Sequence, residues 1–176
     1  MKGFVVLLRG FNTGNLRMTK DALSNLVRRL GYDKFELISN TGNIVLFTDG
    51  NPSKILDEII HELTVNFGQN MFGHIRSFDE MLLLEPHLKA LVYDVQQYIL
   101  FGDKETSKEL YEVFELIDDD KEKLDMIGHD LYWTTPRGYT LKSFGRIALG
   151  DKKYKKLVTS RNITTIKKII ECIQHG

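Results

Sequence analysis

Apolar residues recur along the chain in two rhythms, short unbroken runs and spacings of three and four, which predict strands and helices respectively. Residues 4–8 form an apolar run without alternation, the mark of a central strand buried on both faces or under a helix layer. Ala22, Leu23, Leu26, Val27 and Leu30 then give one face of a helix, with Thr19 as its cap and Gly31 as its stop. Only half of a capping box is present, because Ala22 stands where the acid would be. Residues 35–39 and 44–47 read as two strands joined by the turn Asn40-Thr41-Gly42-Asn43. After Asp49-Gly50-Asn51-Pro52, Ser53 is the expected cap of a helix carrying Ile55, Leu56, Ile59, Ile60 and Leu63 inward. Residues 71–77 hold a fourth strand, and 78–84 a peripheral helical turn closed by Pro86.

The order strand, helix, strand, strand, helix, strand is that of a ferredoxin-like unit. A right-handed crossover makes its first two strands parallel. The loop after the first strand and the 40–43 turn then share one end of the sheet, where the first helix also presents its N-terminal amides.

The pattern restarts after Leu88. A strand is expected within 94–102, then a helix from Thr106 or Ser107 with Leu110, Tyr111, Phe114 and Leu116 inward. Residues 123–127 and 130–134 read as strands about Gly128-His129. Tyr132 and Trp133 alternate, so one of them should face away from the core of its own unit. A helix is expected over 141–149, using Leu141, Phe144, Ile147 and Ala148, and a last one through Ile163, Ile166, Ile169, Ile170 and Ile173, capped by Asn162, Ser160 or Thr159. No final strand is visible in this half. The expected architecture is α+β: two ferredoxin-like (βαββαβ-type) subdomains packed together, 1–88 and 89–176, the second with a terminal helix.

Composition adds limits. At 176 residues and 42% hydrophobic, the chain can bury a real core and is not of the disordered class. Cys172 is its single cysteine, which excludes a disulfide scaffold and fits a reducing, cytoplasmic setting. Arg9 interrupts the N-terminal apolar run too early for a signal peptide, and no stretch approaches a membrane span. The five histidines, His61, His74, His87, His129 and His175, lack metal-ligand spacing, so neither metal nor cofactor is expected. Net charge is zero but unevenly placed: acids dominate 103–130, whereas 137–168 holds ten Lys and Arg against Asp151 alone. The lysine-rich stretch of Lys152, Lys153, Lys155 and Lys156 is either a solvated surface or a nucleic-acid surface.

The most unusual loop is Arg9-Gly10-Phe11-Asn12-Thr13-Gly14-Asn15-Leu16-Arg17. It lacks the Lys-Ser/Thr ending of a phosphate loop and the glycine spacing of a dinucleotide fingerprint. Arg9 either bonds to loop carbonyls or binds an anion, with Gly10 and Gly14 letting the backbone approach. Asn12, Asn15, Asn40 and Asn43 are turn formers or ligands, as is Gly42 by its place between the last two. Arg161 and Asn162 are read as a surface arginine and a helix cap, or as further donors to the same anion.

Residues 7–14, Leu-Leu-Arg-Gly-Phe-Asn-Thr-Gly, resemble the opening of a large family of small bacterial proteins with no assigned function, which start Leu-Leu-Arg-Gly-x-Asn-x-Gly. Thr41-Gly42-Asn43-Ile44 resembles the family's Ser-Gly-Asn-Val/Ile segment, and Thr159-Ser160-Arg161-Asn162-Ile163-Thr164-Thr165 its Thr-Thr-Arg-Asn-Trp-Asn-Thr motif, with Ile163 and Thr164 replacing the Trp and Asn. Pro136-Arg137-Gly138 followed by Leu141-Lys142-Ser143-Phe144 fits the family's Pro-x-Gly and Ser-Lys-Leu segments loosely. The resemblance implies two ferredoxin-like subdomains and supplies no activity. The functional expectation is binding of a phosphorylated small molecule or other anion in a groove between the subdomains. The alternatives are an enzyme acting on a phosphate-containing substrate, and a nucleic-acid or protein interaction module. No membrane partner is expected, and the oligomeric state is left open.

Overall fold

The computed structural model describes residues 2–10, 18–39, 42–68, 70–90 and 93–176. The chain is α+β and divides into two similar sheet-and-helix units, Met1–Leu82 with Lys168–Gly176, and Leu83–Lys167.

In the first unit, β1 (Phe4–Arg9), β2 (Phe35–Ile38), β3 (Asn43–Leu46) and β4 (Phe72–Ser77) form one sheet in the order β2-β3-β1-β4, every neighbour antiparallel. Because β1 and β2 are both antiparallel to β3, they run the same way, as the crossover rule requires, with β3 between them. Val6, Leu8, Ile44 and Leu46 point to one face and pack on Leu23, Leu26 and Val27 of α1 (Lys20–Arg29) and Ile55, Ile59 and Leu63 of α2 (Pro52–Phe67). Val5, Leu7 and Val45 point the other way and are also fully buried, which is why the β1 run shows no polar alternation. Each such side chain stabilises the fold by roughly 1.5–3 kcal/mol relative to leaving it exposed.

Helix ends follow capping chemistry. The Thr19 hydroxyl accepts from the Ala22 amide at 3.1 Å, as expected. The α2 cap is Asn51, whose Oδ1 accepts from Lys54 N at 3.1 Å, rather than Ser53; Pro52 then occupies the first helical position, where no amide donor is needed. The short α3 (Phe78–Leu82) opens on a reciprocal capping box: Ser77 N donates to Glu80 Oε2 at 2.7 Å, and Glu80 N to Ser77 Oγ at 3.2 Å.

The second unit contains β5 (Val95–Phe101), α4 (Lys104–Glu115), β6 (Lys123–Ile127), β7 (Asp130–Pro136) and β8 (Thr159–Asn162), in the sheet order β6-β7-β5-β8, again antiparallel throughout. The strand that periodicity did not reveal is β8. Its Thr-Ser-Arg-Asn sequence has no apolar residue, and its place comes from pairing along β5 from Phe101↔Thr159 to Tyr98↔Asn162. The cap of α4 is Asp103, whose Oδ1 accepts from Thr106 N at 2.8 Å; Thr106 and Ser107 lie within the first turn and are buried.

Trp133 sits in the core of this unit, stacked on Tyr98 at 5.4 Å and edge-on to Phe144 at 5.8 Å between ring centroids. Tyr132 faces the other way, as strand alternation demands, yet it too is buried, and its hydroxyl donates to Gln97 Oε1. The helix expected over 141–149 is not regular: α5 (Ser143–Gly145) is a single turn, followed by a π-helical turn, Arg146–Gly150. Leu141 is exposed, and Phe144 and Ala148 carry the packing. The chain closes in α6 (Ile163–His175), with Asn162 Oδ1 accepting from Thr165 N at 2.9 Å.

Candidate functional site

The rim of the first sheet gathers part of the expected anion site. Asn43 stands opposite Leu7 on β1 and opposite Ile38 on β2, so the start of β3 and the exit of β1 lie at one end of the sheet. Leu8 N donates to the Gly42 carbonyl at 2.8 Å, a direct tie between β1 and the residue before β3. Arg9, the last residue of β1, is half-buried, and that burial pulls its guanidinium pKa down from the ordinary value. Gly10 follows Arg9 and Gly42 is bonded to its neighbour Leu8; their φ of 65° and 70° are left-handed conformations that a side chain would strain.

Asn43 has a more structural place than its turn chemistry suggests. It is 1% exposed, and its Nδ2 donates to Ile38 O at 2.9 Å, closing the β2–β3 hairpin from within. Asn12, Gly14 and Asn40 lie outside the described residues.

Arg161 and Asn162 belong to the second unit. The Arg161 guanidinium is buried, with Nη1 donating to Thr159 Oγ1 and Ser160 O, each at 2.8 Å. Asn162 is spent on capping α6. Both residues therefore carry local structural bonds in addition to any role with a ligand.

Lys152, Lys153, Lys155 and Lys156 are exposed in the segment after the π-helical turn. Lys153 is not free for phosphate: its Nζ pairs with Glu109 Oε1 of α4, which also accepts from the Tyr154 hydroxyl at 2.8 Å. These two donors hold the Glu109 carboxyl below its ordinary value of 4.5. A depressed folded pKa adds stability that is present above the unfolded value and is lost as pH falls through the folded one. Unfolding measured from neutral to acid pH should therefore show a loss beginning near pH 4.5, and Glu109→Gln should flatten that limb. An unchanged acid limb would show that the pair contributes nothing in solution.

Sequence reasoning passed over Glu122. It lies in an acid-rich stretch that reads as solvated, yet it is 4% exposed and accepts from Trp133 Nε1 at 3.0 Å and Phe144 N at 3.1 Å. The one available signal is its place directly before a strand, between Lys121 and Lys123. Among the described residues no cluster of His, Cys, Asp and Glu could hold a metal ion, and no helix is long and apolar enough to cross a membrane.

Comparison with known proteins adds a fold and a family. A conserved bacterial protein, SP0830 from Streptococcus pneumoniae, has a solved structure that matches with a TM-score of 0.81 over 99% of each chain, at 18% sequence identity. No curated protein matches the chain. The family described as "Protein of unknown function (DUF1697)" matches residues 1–132, a span that includes the Leu7–Gly14 and Thr41–Ile44 segments and ends before Thr159. With three quarters of its length matched, the chain belongs to that family of proteins of unknown function, DUF1697.

Proposed function

We propose that this chain binds a phosphorylated small molecule, or another small anion, at the rim of its first sheet. The carrying observation is a half-buried Arg9 next to Gly10, with Gly42 tied to the end of the same strand by the Leu8 backbone bond, both glycines in left-handed geometry. A partly desolvated guanidinium attracts an anion more strongly than one in bulk water, and glycine backbones let that anion approach closely. Asn43 holds the hairpin side of the rim in register. Asn12, Gly14 and Asn40 complete this reading from sequence. In the same reading each unit is ferredoxin-like, a fold supported by its strand order, and the half-buried lone thiol of Cys172 fits a cytoplasmic setting.

Calorimetric titration with inorganic phosphate and a panel of phosphate monoesters tests the assignment. Removing one charge-assisted contact in Arg9→Ala should weaken binding about tenfold, with Arg9→Lys intermediate. Equal affinities in wild type and Arg9→Ala, with both folded by circular dichroism, would refute the rim site. Arg161→Ala measured beside them tests separately whether the arginine of the C-terminal motif contributes to anion binding.

A further inference from the structure

The second unit holds a cavity of about 390 Å³ on the sheet face turned away from Trp133. That volume falls within the roughly 300–1,000 Å³ usual for small-molecule sites. Its floor is a row of side chains across three strands: Lys123 of β6 stands opposite Thr134 of β7, which stands opposite Gln97 of β5. Side chains opposite one another in a sheet share a face, and alternation sends Trp133 to the opposite side. Lys89 and Lys121 close the rim, and Val95 supplies apolar wall.

The polar part of this floor is fixed before any ligand arrives. Gln97 is 5% exposed; its Oε1 takes the Tyr132 hydroxyl and its Nε2 donates to Ala90 O at 3.1 Å. Its amide orientation is therefore set by two partners. The charge is unbalanced: three lysines line the cavity against one acid, Asp94. Of the carboxylates near Lys121 in sequence, Asp119 accepts from the Lys121 backbone amide at 3.0 Å and the Tyr139 hydroxyl at 2.9 Å, and Glu122 from Trp133 and Phe144. Among the described residues none of the three ammonium groups lies within ion-pair distance of a carboxylate. Lys89 instead sits over the Tyr132 ring at 5.9 Å and Lys121 over the Tyr139 ring at 5.6 Å.

We propose that this cavity is a binding site for a small organic dianion, a phosphate monoester with an apolar body. The lining's excess of two lysines over acids matches a phosphate monoester near neutral pH. The Val95 wall accommodates a carbon body that inorganic phosphate lacks, and the Thr134 hydroxyl and Gln97 amide lie on the floor between them. The site is separate from the Arg9 rim, since every lining residue lies within Leu83–Lys167.

Calorimetric titration of the full-length chain with phenyl phosphate, and with inorganic phosphate as its counterpart, tests this. Both are run on wild type and on Arg9→Ala, so that a rim site, weakened about tenfold in the second series, is told apart from the cavity, which that substitution leaves intact. Phenyl phosphate should bind saturably in both proteins and more tightly than inorganic phosphate. The exposed pair Lys121→Gln/Lys123→Gln should weaken it about tenfold, as expected for two partly solvated charge contacts. Thr134→Trp, which fills the cavity without altering charge, should abolish it. Circular dichroism establishes that each variant is folded. Absence of saturable binding, undiminished affinity in the double lysine variant, or full binding in folded Thr134→Trp overturns the proposal. Loss in Arg9→Ala with retention in the lysine variant assigns the binding to the rim and overturns it equally.

Discussion

Replacing Glu122 by alanine should lower the stability of the second unit by about 3 kcal/mol, the sum expected when two buried donors lose their acceptor. The donors are the Trp133 indole N–H at 3.0 Å and the Phe144 amide at 3.1 Å, and neither side chain exposes any surface through which water could substitute. The carboxylate does more than neutralise them. It joins β7 to α5, so its removal also frees the turn that delivers Phe144 to the core. Trp133 is the only tryptophan, so its fluorescence during denaturant unfolding reports this unit directly. Glu122→Gln retains one acceptor but points an amide N–H at the second donor, and should cost about half as much. An alanine variant within about 1 kcal/mol of wild type would mean that both donors find other acceptors.

The legible parts of this chain were those where one pattern had one cause. The β1 run was readable because Val5 and Leu7 are buried on one face and Val6 and Leu8 on the other, leaving no room for a polar position. Thr19 was readable because a cap acts through a local bond three residues away. The rim followed from topology, since parallel β1 and β2 must end together.

What stayed hidden depends on partners distant in sequence. β8 is a strand because β5 offers it an edge, and its own four residues carry no apolar signal. The lysine run was visible as charge, but the pairing of Lys153 with Glu109 on α4 was not. Asn43 looked like a turn residue, and only the register of three strands shows that its amide closes the hairpin from inside. Glu122 is indistinguishable in sequence from the other acids of 103–130 because burial is a property of the fold. The dianion cavity has no sequence motif at all, since Lys123, Thr134 and Gln97 meet only through sheet pairing.

The same dependence explains the irregular stretch that periodicity had made a helix, and it predicts a sharp sensitivity at Gly145. A Cβ added there would lie 1.9 Å from the Thr140 carbonyl oxygen and 2.5 Å from Trp133 Cη2. The first obstacle is backbone and the second a ring with no exposed surface, so neither can swing aside as a flexible side chain would. Gly145→Ala should therefore cost about 3 kcal/mol, the upper end for overpacking, and should red-shift Trp133 emission as the turn is pushed outward. Gly150→Ala is the control, because its Cβ meets nothing nearer than Arg146 Cγ at 4.0 Å. That variant should match wild type or exceed it by about 0.5–1 kcal/mol through lower unfolded-chain entropy. Wild-type stability in Gly145→Ala would show that the Thr140 turn yields freely. The two sensitive positions should also be coupled. Moving the turn draws the Phe144 amide away from Glu122 Oε2, so the loss in Gly145→Ala already contains part of the loss in Glu122→Ala. The double variant should accordingly fall short of the sum of the single ones by about 1 kcal/mol, the value of the shared hydrogen bond.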